Sequence, residues 1–150
     1  MSKETNITRI LKAALPFQDK FVAKVPAEKR QAGEGRVCKL VVDDPGNGDG
    51  PGPDHTILYF RVHSGKLEIL NEKPDQYRNE VIFLGMANDS YTGVDLFMDG
   101  LRMPGIFRKA YAEKWLIITD PYRDLDEYDS EELLQLCEDL LHQIAKNLNL

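Results

Sequence analysis

The stretch HTILYFRVHSGKLEIL, residues 55–70, decides the fold of this chain. Apolar and more polar residues alternate on both sides of Ser64-Gly65, as they do in β-strands with one buried face. Two residues that include a glycine, set between two strand-like runs, are typical of a tight hairpin connection. We therefore predict an antiparallel hairpin with strands over residues 55–63 and 66–70.

Three more segments outside the hairpin predict strands, because they are short, apolar and rich in β-branched residues. They cover residues 36–43, 80–86 and 114–119. Apolar residues at helical spacing predict helices near residues 7–15, 17–26, 91–101, 106–111 and 130–148. Residues 27–35 are polar and predict a connection. The order of elements predicts an α+β fold, with a five-stranded, mainly antiparallel sheet and helices packed on one face.

Residues 43–54 (DDPGNGDGPGPD) are dense in turn-forming residues. They lack the lysine and hydroxyl of a phosphate-binding loop and the spacing of a calcium loop. The segment therefore predicts a surface loop without a ligand.

The 150 residues fit one domain, residues 1–150, with a net charge of −6 and a pI of about 5.1. This acidic balance and the dispersed basic residues argue against nucleic acid as a partner. No apolar run is long enough for a membrane span, and the polar N-terminus does not resemble a signal peptide. We expect a cytoplasmic protein without stable membrane insertion, and the sequence leaves its oligomeric state open.

The residues that most often carry chemistry are few: two cysteines and three histidines. Cys38 and Cys137 show no metal-binding spacing, and we expect neither a metal nor a cofactor. His55 and His63 stand at opposite ends of one predicted strand, too far apart to share a metal. The alternation around Cys38 predicts an inward thiol, although an enzymatic site assembled in space around Cys38 and His63 stays open as an alternative. The acidic run 124–132 is better explained as a solvated helix start.

The apolar helices carry a different signal. Gly100, Pro104 and Gly105 interrupt the helical pattern between residues 91 and 111, and Pro16 interrupts the first one. Short, broken helices pack less regularly on a sheet, so they can leave an apolar hollow that admits a ligand. A filled core is the alternative that the spacing alone leaves open.

This layout resembles the sterol-carrier-protein-type lipid-binding domain. The matching pieces are YFRVHSGKLEI (59–69), EVIFLGM (80–86), VDLFMDG (94–100), Gly100-Leu-Arg-Met-Pro104, Ala110-Tyr111 and Lys114-Trp-Leu-Ile117. The resemblance runs from about Val37 onward. The chain departs from the family pattern at Glu113, where a glycine usually precedes the lysine, in the longer spacing from Pro104 to Ala110, and in the loop 45–53.

The resemblance implies a non-catalytic carrier that binds and transfers an apolar molecule, such as a fatty acid, an acyl-CoA or a sterol-like lipid, in a tunnel between sheet and helices. The implied wall consists of Leu40, Val42, Leu58, Phe60, Ile82, Phe97, Met98, Ile106, Phe107, Tyr111 and Leu116, with Leu136 and Leu140 of the last helix near the mouth. A protein-interaction module that uses the C-terminal helix or a sheet edge is a further alternative.

Overall fold

The computed structural model describes residues 4–19, 23, 27–32, 34–45, 51–85, 91–119, 138–139, 141–142 and 145–146. Five strands form one sheet: β1 Val37–Val42, β2 Thr56–His63, β3 Lys66–Ile69, β4 Asn79–Phe83 and β5 Leu116–Thr119. Their order is β3-β2-β1-β4-β5. The β1–β4 pair is parallel and the other three pairs are antiparallel. The predicted α+β class and the mainly antiparallel sheet are confirmed.

The predicted hairpin over residues 55–70 joins β2 and β3. Ser64 and Gly65 both adopt positive φ angles, 53° and 80°. Two consecutive residues in this left-handed region match the right-handed twist of the flanking strands, and glycine adopts it without steric cost. The turn fixes the register in which Val62 pairs with Leu67 and Phe60 with Ile69.

Four helices have defined bounds: α1 Asn6–Ala14, α2 Ala27–Ala32, α3 Gly93–Gly100 and α4 Ile106–Glu113. The prediction of a connection over residues 27–35 was wrong, because α2 occupies most of it. Its sequence AEKRQA lacks an apolar stripe but consists of good helix formers. Pro16 lies in a short 3-10 turn, Leu15–Phe17, directly after α1. Of the second helix predicted for residues 17–26, residues 20–22 and 24–26 lie outside the described residues.

Helix α3 is fixed at its first turn by Thr92. The Thr92 Oγ1 accepts a hydrogen bond from the Asp95 N–H at 3.1 Å, and Asp95 Oδ2 accepts one from the Thr92 N–H at 3.0 Å. This reciprocal cap satisfies two N–H groups that a helix start leaves without partners. A Cβ on Gly93 would stand 1.8 Å from the Phe83 carbonyl oxygen, so only glycine lets α3 begin this close to β4.

The sheet has one covered and one open face. All buried strand residues belong to the same alternation: Val42, Thr56, Phe60, Asn79, Phe83 and Leu116. Among the described strand residues, none of the opposite alternation is buried. Helix α1 packs on the sheet over β2, helix α3 packs over β1 and β4, and helix α4 packs over β5. The prediction that helices gather on one face thus agrees with the burial pattern.

Helix α1 is joined to the sheet by a hydroxyl pair. Thr5, its N-cap, lies 2.6 Å from Thr56 through their Oγ1 atoms. Ile7 and Ile10 on the same helix are buried in the core that α3 and α4 share. Thr5 therefore caps α1 and also places it over the first residue of β2.

Candidate functional site

The strand registers divide the covered face into rows that run across the strands. One row consists of Thr56, Val42, Phe83 and Leu116 on β2, β1, β4 and β5. Each of these side chains is 5% exposed or less. We call this set the buried row, and it forms the floor of the main hydrophobic core.

The space above the buried row is filled by aromatic rings. Phe83 packs edge-on against Phe97 of α3 and Phe107 of α4, with ring centroids 5.6 and 5.3 Å apart. This geometry is the favoured one for aromatic pairs and adds about 0.5–1.5 kcal/mol to the burial of each pair. Leu96 and Leu101 close the cluster. This part of the interior is therefore core.

The next row lies two residues along each strand and is packed differently. It consists of Leu58, Leu40, Val81 and Ile118, which the registers place side by side. All four are only half-buried although they share the face of the buried row. We call this set the apolar stripe. It crosses three strand spacings, which corresponds to about 14 Å.

Helix residues with similar partial exposure border the core near the apolar stripe. Val94 and Met98 of α3 and Ile106 and Tyr111 of α4 are half-buried and pack against the core cluster. The stripe is thus an apolar floor that the described residues leave partly open, beside helices whose half-buried residues are also apolar. Such a surface suits an elongated apolar molecule.

The residues predicted for a tunnel wall fall into four groups in the structure. Five are buried in the core: Val42, Phe60, Phe97, Phe107 and Leu116. Five are half-buried: Leu40, Leu58, Met98, Ile106 and Tyr111. Leu136 and Leu140 lie outside the described residues. Ile82 lies on the other face of the sheet.

The placement of Ile82 corrects the prediction. Ile82 pairs with Val41, whereas Val81 pairs with Leu40, so Val81 shares the covered face with the other predicted residues. Strand β4 carries apolar residues at 81, 82 and 83, so its own pattern does not show which alternation faces the helices. Only the pairing with β1 decides it. Sequence reasoning therefore chose Ile82 instead of Val81, and it also left out Ile118 of β5.

A polar pair lies beside the apolar stripe, in the next row of β1 and β4. Asn79 precedes Val81 by two residues on the covered face, and its register partner is Cys38. Asn79 is 3% exposed. The Cys38 thiol lies 3.9 Å from Asn79 Oδ1, a long contact for a weak donor. Within the described part of the chain, no hydrogen-bond partner is found for Asn79 Nδ2.

Cys38 and His63, the residues of the enzymatic alternative, do not meet. Cys38 pairs with Phe60, so His63 lies three residues further along β2, about 10 Å away, and in the opposite alternation. The His63 side chain is 70% exposed, and its Nδ1 lies 2.8 Å from Glu34 Oε1. The structure therefore does not assemble a nucleophile and a base from this pair.

Glu138 is a buried carboxylate that sequence reasoning did not single out. It is fully buried, and its two oxygens accept hydrogen bonds from the N–H groups of Gly105 at 2.6 Å and Phe107 at 2.9 Å. These donors open helix α4, where the helix dipole also favours a negative charge. Glu138 precedes Leu141 and Ala145 by three and seven residues, so it lies on their buried helix face. That spacing was the available signal.

Tyr91 precedes α3 and donates a hydrogen bond to a carboxylate of that helix. Its hydroxyl donates to Asp99 Oδ2 at 2.5 Å, and its ring packs against Trp115 at 6.1 Å. Partial burial, followed by the Asp99 carboxylate, raises the pKa of Tyr91. The phenol therefore stays protonated and fixes α3 to the core, without forming a nucleophile.

Two clefts lie among the described residues, and neither is lined by residues of the apolar stripe. One, of about 530 Å³, is lined by Ala27, Gln31, Glu34 and Ser64. The other, of about 440 Å³, is lined by Glu34, Gly35, Arg36, Val37, Gln76, Tyr77 and Arg78. Both are open to solvent, and most of their lining residues are polar or charged. The tunnel that the resemblance implies stays a prediction.

The described residues contain no group of three or more His, Cys, Asp or Glu side chains placed to hold a metal ion. They also contain no helix with the length and apolar character needed to cross a membrane.

Comparisons with known proteins return a structural neighbour. No protein-family model matches the chain, and no curated protein matches it. A solved structure described as "UbiJ-SCP2 Ubiquinone synthesis protein" is similar to it, with 15% sequence identity and a TM-score of 0.43. The similarity covers 91% of this chain and 98% of that one.

Proposed function

We propose that this protein is a non-catalytic binding protein for a single-chain apolar ligand, which lies along the apolar stripe beneath helices α3 and α4. The observation that carries the proposal is the partial exposure of Leu58, Leu40, Val81 and Ile118 on the face where the neighbouring row is buried. Apolar area that stays in contact with water is what an apolar ligand gains free energy by covering.

The shape of the stripe favours a long, narrow ligand. Its four side chains come from four adjacent strands, so they form a line instead of a round patch. A single acyl chain can lie along such a line, and a fatty acid is the simplest molecule that carries one. Transfer of the ligand between sites is part of the same proposal.

A protein-interaction role for the last helix receives less support. Leu141 and Ala145 are buried in the core, and Glu138 beside them holds helix α4. The buried positions of this helix, Glu138, Leu141 and Ala145, are thus already used inside the molecule.

The proposal is tested by titrating the protein with saturated fatty acids of increasing chain length, below their micelle concentrations, by calorimetry. Each methylene that leaves water contributes about 0.8 kcal/mol, so affinity should rise about fourfold per added methylene until the stripe is filled. No binding at any length, or affinity that does not depend on length, would contradict the proposal.

A matched pair of variants locates the site. Val81→Thr places a hydroxyl in the apolar stripe, whereas Val41→Thr makes the same change on the open face of the adjacent strand. Burying a hydroxyl without a partner costs about 1–3 kcal/mol, so Val81→Thr should weaken binding roughly tenfold or more, and Val41→Thr should leave it unchanged. Equal effects of the two variants would place the ligand elsewhere.

A further inference from the structure

Asn79 has a hydrogen-bond capacity that the described residues do not use. Its side chain is 3% exposed, and no partner for Nδ2 is found among them. Buried polar groups in folded proteins almost always have a partner, because water no longer supplies one. Asparagine can donate two hydrogen bonds through this nitrogen. An unused donor in this position therefore calls for an acceptor.

The position of Asn79 connects it to the proposed binding surface. It lies on the covered face of β4, two residues and about 7 Å before Val81 of the apolar stripe. Its neighbours in the same row are Cys38 and Phe60. Neither the Phe60 ring nor the weakly polar Cys38 thiol is a good acceptor for an amide N–H. A hydrogen-bond donor thus lies beside the apolar stripe, next to Val81.

A carboxylate supplies such an acceptor, because it carries acceptor oxygens only, and hydrogen bonds to a charged group are stronger than those between neutral groups. An ammonium group carries donors only, so it cannot accept a hydrogen bond from Nδ2.

We propose that Asn79 recognises the polar end of the ligand, donating a hydrogen bond from Nδ2 to a carboxylate oxygen while the acyl chain lies along Leu40 and Val81. This inference rests on the proposed function and deepens it by naming the residue that binds the polar end of a single-chain carboxylic acid. Asn79 binds and orients the ligand, and no covalent step is involved.

Three probes with the same chain test the inference: dodecanoic acid, dodecanol and dodecylamine, titrated by calorimetry near pH 7. The acid carries acceptors only, the ammonium group donors only, and the alcohol one of each. The native protein should bind the acid most tightly and the amine most weakly. Asn79→Leu should weaken binding of the acid about tenfold and change binding of the amine less than twofold. Unchanged binding of the acid to Asn79→Leu would overturn the inference.

A second measurement uses the native protein and does not depend on how the leucine variant folds. The side-chain amide resonances of Asn79, assigned by their loss in Asn79→Asp, should shift when dodecanoic acid saturates the protein and should move less with dodecylamine. Resonances that stay in place with saturating acid would overturn the inference while the proposed function stands. If none of the three probes binds the native protein, both the proposed function and this inference fail.

Discussion

The buried row and the apolar stripe occupy the same face of the same four strands, two residues apart. Both are largely apolar, yet Val42 is 0% exposed while Leu40 on the same strand is half-buried. The difference lies above the sheet. Phe97 and Phe107 fill the space over the buried row through their contacts with Phe83. Position under the helices, more than residue type, separates stabilising core from accessible surface in this molecule.

The largest expected effect is at the centre of the buried row. Phe83→Ala removes a ring that contacts both Phe97 and Phe107 and leaves a cavity that the neighbours fill only in part. The free energy of unfolding should fall by about 3–5 kcal/mol, measured by urea denaturation. A loss below about 1 kcal/mol would show that this row is not close-packed and so does not differ from the apolar stripe in packing.

A smaller but still large loss is expected when the cover of the buried row is loosened. Glu138→Ala leaves the buried N–H of Phe107 without its acceptor, at a cost of about 1–3 kcal/mol, whereas the N–H of the exposed Gly105 can turn to water. Glu138→Gln retains one acceptor oxygen and should lose about half as much stability. Equal stability of the two variants in thermal unfolding would mean that the carboxylate does not hold helix α4.

One substitution made in both rows tests most directly whether the buried row and the apolar stripe differ in packing. Val42→Ala should lower the free energy of unfolding by about 2–3 kcal/mol, because the site is fully buried. Val81→Ala should cost about 1 kcal/mol or less, because its side chain is already partly in water. Urea denaturation of both variants measures the difference. Similar losses would show that the apolar stripe is core as well.

The smallest effect is expected far from both rows, at the hairpin. The Ser64 N–H, followed by the His63 ring, lowers the pKa of Glu34 below its ordinary value of 4.5. A lowered folded-state pKa contributes stability above the unfolded-state pKa, and this is lost as the pH falls through the folded-state pKa. From about pH 6 to about pH 3, Glu34→Gln should therefore lose slightly less stability than the native protein. Glu68→Gln, an exposed glutamate on β3, is the control and should behave like the native protein.

Most of the fold could be predicted from local pattern. The hairpin, all five strands and the start of α1 were predictable because alternation, Ser64-Gly65 and the Thr5 cap act within a few residues. Helix α2 was missed because it lacks an apolar stripe. Of the four residues of the apolar stripe, the predicted wall includes Leu40 and Leu58 but not Val81 and Ile118, and the site itself stays a proposal.

What the sequence alone determined is the five strands, helices α1, α3 and α4, and which faces of β1 and β2 are apolar, since these follow from short-range periodicity. Only the tertiary structure decided the alternation of β4, the burial of Glu138 and Asn79, and the division between buried row and apolar stripe. Each of these depends on which residue of a distant segment lies opposite. Residues 81–83 are apolar in any arrangement, and the register with β1 alone turns Val81 toward the helices and Ile82 away from them.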